Sequence, residues 1–155
     1  MKLNIPVRGY ISCATHCPYE NFVNPKIVGR IAKDLFKMGC YEISLGDTTG
    51  KGTPEQTLEI VKECLKYLSA DKLAGHFHDT YQNALDNINV CLENGIKTFD
   101  ASVGGLGGCP YSPGAKGNVA TEKVNKLLLS KGYETNLDRD KLKECSVIAQ
   151  KLILN

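Results

Sequence analysis

Apolar positions along the chain follow two rhythms. Residues 7–14 (VRGYISCA), 40–46 (CYEISLG, closed by Asp47), 72–78 (KLAGHFH) and 97–103 (KTFDASV) are short runs rich in β-branched and aromatic residues and read as strands. Between them the apolar spacing lengthens to that of helices. Ile27, Ile31, Leu35 and Met38 predict a helix over about 25–38, opened by Pro25 and stopped by Gly39. Thr53-Pro54-Glu55-Gln56 reads as an N-cap, a proline in the first turn and a polar third residue. That helix is predicted to reach about residue 68, with Leu58, Val61 and Leu65 on one face. Asp79-Thr80 predicts the start of a third helix, which carries Ala84, Ile88 and Cys91 and ends at Asn94-Gly95. Further helices are predicted from near Thr121 to Leu129 and over about 138–154.

The predicted strands start near residues 7, 40, 72 and 97, at steps of about 25 to 33 residues, the size of a repeated βα unit. Strands alternating with helices imply an α/β fold with a parallel sheet. A small doubly wound sheet, half of a (β/α)₈ barrel and a domain of a larger assembly all fit. No linker or low-complexity segment divides the chain, so residues 1–155 are taken as one unit. A complete (β/α)₈ barrel needs about 250 residues, and this chain has 155.

Composition removes several classes of partner. The net charge is +2 with no basic run, which argues against nucleic acid. No apolar stretch approaches the ~18 residues of a membrane span, and residues 1–10 lack the apolar core of a signal peptide. Seven cysteines, an odd number, point to free thiols in a reducing cytoplasm. Cys64, Cys91 and Cys145 sit at helical positions among apolar neighbours and are expected to be buried. Cys13, His16 and Cys17 form no complete zinc motif, since no second half-site exists.

In parallel α/β folds, sites gather at the carboxyl ends of strands. The third predicted strand ends in His76-Phe77-His78-Asp79. Residues two apart on a strand share a face, so His76 and His78 aim together, either as the start of a divalent-metal site or as one core and one surface histidine. Asp47, closing the second strand, is a ligand, an orienter of a ligand or a helix cap. The fourth strand leads into Gly104-Gly105-Leu106-Gly107-Gly108-Cys109-Pro110-Tyr111. It lacks the GK[ST] of a phosphate loop and the third glycine of a dinucleotide fingerprint. Its Cys109 is either a reactive thiol or a plain loop cysteine. Asn118 is either a cap for the next helix or an oxygen ligand.

The run Ser102 to Tyr111 with Gly117-Asn118, together with residues 7–13, Cys17 to Glu20, residues 39–48 and His76-x-His78-Asp79-Thr80-Tyr81, closely resembles the hydroxymethylglutaryl-CoA lyase family, over nearly the whole chain. The resemblance implies the carboxyl-terminal half of a (β/α)₈ barrel, four strands with flanking helices. It implies cleavage of 3-hydroxy-3-methylglutaryl-CoA to acetyl-CoA and acetoacetate with magnesium or manganese. His76, His78 and Asn118 match the metal ligands, Asp47 an aspartate that supports the site, and Cys109 a mobile-loop cysteine that transfers protons. The family's Asp-Arg-Glu segment on the first barrel strand has no counterpart here, and neither Arg8 nor Arg30 replaces its arginine. The chain is therefore expected to be incomplete alone, to expose apolar side chains on its inward face, and to associate with a second copy or with an amino-terminal half-barrel. The partners implied are an acyl-CoA substrate and that complement, in the cytoplasm. An inactive metal- and CoA-binding remnant, a regulatory half-barrel and half of a related aldolase are the alternatives. His16 departs from the family's pattern and is either an added ligand or a surface residue.

Overall fold

The computed structural model describes residues 3–108 and 117–153. Its main sheet has the order β1-β4-β5-β6, where β1 is Gly9–Ile11, β4 Ile43–Asp47, β5 Leu73–Phe77 and β6 Thr98–Asp100. Every pairing in it is parallel, as the strand–helix alternation requires. Two short strands, β2 (His16–Cys17) and β3 (Asn21–Phe22), form an antiparallel hairpin after β1 that the sequence did not announce. Cys13 at φ +55° follows the end of β1, and Asn21 at φ +65° opens β3 directly after the hairpin's turn.

The connecting helices are α1 (Pro25–Lys37), α2 (Pro54–Leu65), α3 (Ala84–Glu93), α4 (Thr121–Ser130) and α5 (Arg139–Ile153). Their starts follow capping chemistry where the sequence supplies it. Asn24 accepts from the Lys26 amide ahead of α1. Thr53 and Gln56 cap α2 reciprocally, at 3.1 and 3.3 Å, the capping box expected of that sequence. The third helix starts four residues later than Thr80. Gln82 at φ +66° interrupts the helical path, and the Asp79 carboxylate is engaged by Lys123 at 2.7 Å rather than by a helix start.

Register places side chains on two faces. Tyr10, Ser44, Ala74 and Thr98 lie level across the sheet, as do Gly46, His76 and Asp100. The alternate positions Ile11, Ile43, Leu45, Leu73 and Phe77 are buried against the helices, with Val28, Ala32, Ile60, Val61, Cys64, Ile88 and Cys91 opposite them. Each fully buried Leu or Ile side chain stabilises this layer by roughly 1.5–3 kcal/mol. Helices α1 and α2 cross closely at Gly29, where a Cβ would stand 2.8 Å from Glu63 Cγ.

Two sequence expectations change. The sheet face away from the helices does not expose a set of apolar side chains. It carries Tyr10, Ser44, His76 and Asp100, with Arg8 just before β1, because the residues in step with one another are mostly polar. Cys64 and Cys91 are fully buried as expected, and burial pushes both thiols up to about 12. Cys145 is exposed instead: α5 buries Ala149 and leaves Val147, Ile148 and Leu152 to solvent, so helical periodicity there marks a face that little covers.

Candidate metal site at the sheet's carboxyl edge

His76 is the fourth residue of β5, and His78 follows the strand's end. Their rings lie 5.4 Å apart, centroid to centroid, at 57°, so the two-residue spacing does bring both imidazoles together. His78 is buried, and its Nδ1 has no hydrogen-bond partner. Burial, and then the neighbouring His76, lowers its pKa below the ordinary imidazole value, with Asp47 opposing.

Asn118 reaches the same place from forty residues along the chain. The strand-like segment around it runs antiparallel beside the end of β5, with Asn118 directly opposite His78. Val119 donates to the Phe77 carbonyl at 3.0 Å and Asp79 to the Gly117 carbonyl at 2.9 Å. Asn118 does not cap α4, whose N-cap is Ala120. Its Nδ2 donates to the Leu106 carbonyl at 3.0 Å, which turns Oδ1 into the side chain's uncommitted acceptor.

The glycines flanking the loop explain how its two ends meet. Gly107 has φ +112° and would place a Cβ 2.6 Å from Asn118 Nδ2. Gly117 has φ +77° and would place one 1.9 Å from the Gly107 carbonyl oxygen. Backbone thus packs on backbone where only glycine fits. Cys109, on the segment between them, lies outside the described residues.

Asp47 stands on the helix-facing side, 1% exposed. Its carboxylate accepts from Thr15 Oγ1 at 2.8 Å, Thr49 Oγ1 at 3.3 Å and the Gly52 amide at 2.9 Å. Its carbonyl accepts from the His78 amide at 3.1 Å. These bonds tie the loops after β1 and β4 to the backbone of His78. His16, in β2, is half-buried, and burial followed by Lys51 lowers its pKa while Asp47 opposes.

A second group of residues escaped sequence reasoning. Asp100, level with His76, lies 3.5 Å from its Nδ1 and accepts from Ser44 Oγ at 2.9 Å. Arg8 donates to Asp100 at 2.7 Å and to Glu42 at 2.6 Å, and it contacts the Tyr10 hydroxyl. Burial would raise the Asp100 carboxyl, but His76, Arg8 and Ser44 outweigh it and hold it at about 2. Arg8 and Asp100 are 92 apart in sequence. Only the strand register unites them, so no local motif could have revealed them.

Two imidazoles, one of them with an orphaned buried nitrogen, and an amide oxygen opposite form a mixed nitrogen and oxygen donor set that suits a divalent cation. Among the described residues, no three His, Cys, Asp or Glu side chains group closely enough to hold one. His16 therefore does not group with His76 and His78. Among the described residues, no helix is long and apolar enough to cross a membrane.

A family model described as HMGL-like matches residues 7–148. The chain is 52% identical over 139 residues to a mitochondrial hydroxymethylglutaryl-CoA lyase of Arabidopsis thaliana, covering 90% of this chain and 30% of that one. It is 51% identical over 140 residues to a cytoplasmic 3-hydroxy-3-methylglutaryl-CoA lyase of Danio rerio, covering 90% and 42%. The crystal structure of the HMG-CoA lyase from Brucella melitensis superposes with a TM-score of 0.95 at 49% identity, covering 97% of this chain and 53% of that one. The four βα units thus superpose on about half of that lyase's fold. The chain spans about a third to a half of the length of each of these relatives.

Proposed function

Since the chain belongs to the HMGL-like family, we propose that it forms the metal-bearing part of a carbon–carbon lyase that splits 3-hydroxy-3-methylglutaryl-CoA into acetyl-CoA and acetoacetate. The observation that carries this reading is the convergence of His76, His78 and Asn118 at the carboxyl edge of the sheet. These three residues would hold magnesium or manganese, and that cation would polarise the substrate's oxygens. Imidazole and amide are neutral donors, so they leave the cation its full charge for the negative charge developing in the reaction. The lowered pKa of His78 favours the unprotonated ring that a ligand must be. Cys109 would move a proton at its Sγ and exclude water, as a thiol on a glycine-rich loop can. Asp47 would act on the chemistry by fixing His78 through its backbone, not by touching substrate.

The acyl-CoA would bind across the polar inner face. Among the described residues β1 pairs only with β4 and β6 only with β5, so further strands are needed to enclose a substrate. An amino-terminal half-barrel would provide them, with a second copy of this chain as the alternative source. Relatives are named for both mitochondria and cytoplasm; the cytoplasm is our assignment for this chain.

The test is a cleavage assay with 3-hydroxy-3-methylglutaryl-CoA and Mg²⁺, with and without a co-expressed amino-terminal half from one of these relatives. Activity on complementation, lost in His76→Ala and Cys109→Ala, is the expected result. A complemented chain that binds metal and yet leaves 3-hydroxy-3-methylglutaryl-CoA uncleaved would favour the regulatory half-barrel.

A further inference from the structure

We infer that Asp100 is a positioning residue for His76. Clamped by Arg8 and Ser44, its carboxylate fixes the imidazole with the proton on Nδ1, so that Nε2 is the atom presented to a cation beside His78 and Asn118.

The geometry is specific. Asp100 Oδ2 lies 3.5 Å from His76 Nδ1 and takes the Ser44 hydroxyl at 2.9 Å, while Oδ1 takes Arg8 Nη1 at 2.7 Å. The two oxygens are therefore engaged on different sides, and the carboxylate plane cannot swing away from the ring without breaking a hydrogen bond. Tyr10 packs edge-on against His76 at 6.2 Å between centroids, limiting rotation of the ring. The cluster is a poor anion site: Arg8 faces both Glu42 and Asp100, so the three charges sum to one negative. That surplus favours a cation held at the neighbouring histidines. Histidine ligands of metals commonly give their second N–H to a carboxylate, which sets tautomer and orientation and raises ligand basicity. Asp100 stands where that partner is required.

What the ring is presented to rests on the metal reading above; the ring's orientation does not, and the experiment separates them. Long-range ¹H–¹⁵N correlation spectra of the metal-free full chain, at mildly alkaline pH, report which histidine nitrogen carries the proton. His76 is expected on the Nδ1–H form, against the Nε2–H preference of an unconstrained histidine side chain. Asp100→Ala should return it to Nε2–H and weaken Mn²⁺ binding, followed by titration, by about 10- to 100-fold. Asp100→Glu should restore the tautomer and part of the affinity. Ser44→Ala, a gentler change, should give a mixed tautomer should Asp100→Ala fail to fold. Nε2–H in the unaltered protein would overturn the inference, as would a folded Asp100→Ala with unchanged tautomer and Mn²⁺ affinity. An Nδ1–H ring in a protein that takes up no Mn²⁺ would uphold the positioning role and remove the metal reading.

Discussion

The carboxyl of Asp100 illustrates how one residue's surroundings become a property of the whole chain. Its value of about 2 in the fold lies below the 3.8 of an unstructured aspartate. A depressed carboxyl contributes stability that is complete above the unfolded value and is lost as pH falls through the folded one. The window is therefore between about pH 4 and 2, and the contribution is about 2 kcal/mol. Acid unfolding of Asp100→Asn should show a shallower loss of stability than the unaltered protein over that window. Thiol chemistry gives a second check at this scale. Cys145 should react promptly with a disulfide reagent in the native state, whereas Cys64 and Cys91 should react only on unfolding, given their burial and raised pKa. The pairing of His76 with His78 was legible because alternation along one strand is a local rule. Arg8 was not: its sequence position marked only the start of a strand. Its partners come from elsewhere, Glu42 from just before β4 and Asp100 from β6, and register is a property of the folded sheet.

At the scale of elements, capping and periodicity carried the helices well and the irregular joints poorly. Thr53 and Gln56 announce α2 because a capping box is written in four adjacent residues. The hairpin of β2 and β3 and the delayed start of α3 depend instead on left-handed backbone at Asn21 and Gln82. Asparagine adopts that conformation with some ease, but the residue type alone does not say where. The close joints make two sharp expectations. Gly29→Ala drives a methyl against Glu63 of α2 and should cost about 1–3 kcal/mol in chemical denaturation. Gly117→Ala, with no room before the Gly107 carbonyl and a φ that penalises a side chain, should displace the adjoining Asn118. Its signature should be weakened Mn²⁺ binding together with a lower unfolding midpoint, because Val119, two residues on, is fully buried in the core.

For the molecule as a whole, the sheet's boundaries matter more than its interior. Among the described residues, a parallel sheet with helices on one face and open edges at β1 and β6 exposes both backbone hydrogen-bonding groups and a charged inner face to water. Light scattering behind size-exclusion chromatography should accordingly give a mass that rises with concentration. Co-expression with an amino-terminal half should replace that series with a single species. A monomer unchanged across dilution would sink the idea that the edges recruit strands.

The alternation of faces on β5 has one more consequence, which is a matter of counting. Leu73 and Phe77 serve the core and His76 the site only because odd and even positions part company along the strand. Deleting one residue between Leu73 and His76 would turn the imidazole into the helices and a core side chain toward the polar face, losing core and candidate site in a single step. Deleting two would restore the parity but draw the ring back by ~7 Å along the strand. Such a chain should keep most of its packing while its histidines no longer stand opposite Asn118. The strand's length is thus held by two constraints that fail differently, and point deletions in β5 would tell them apart.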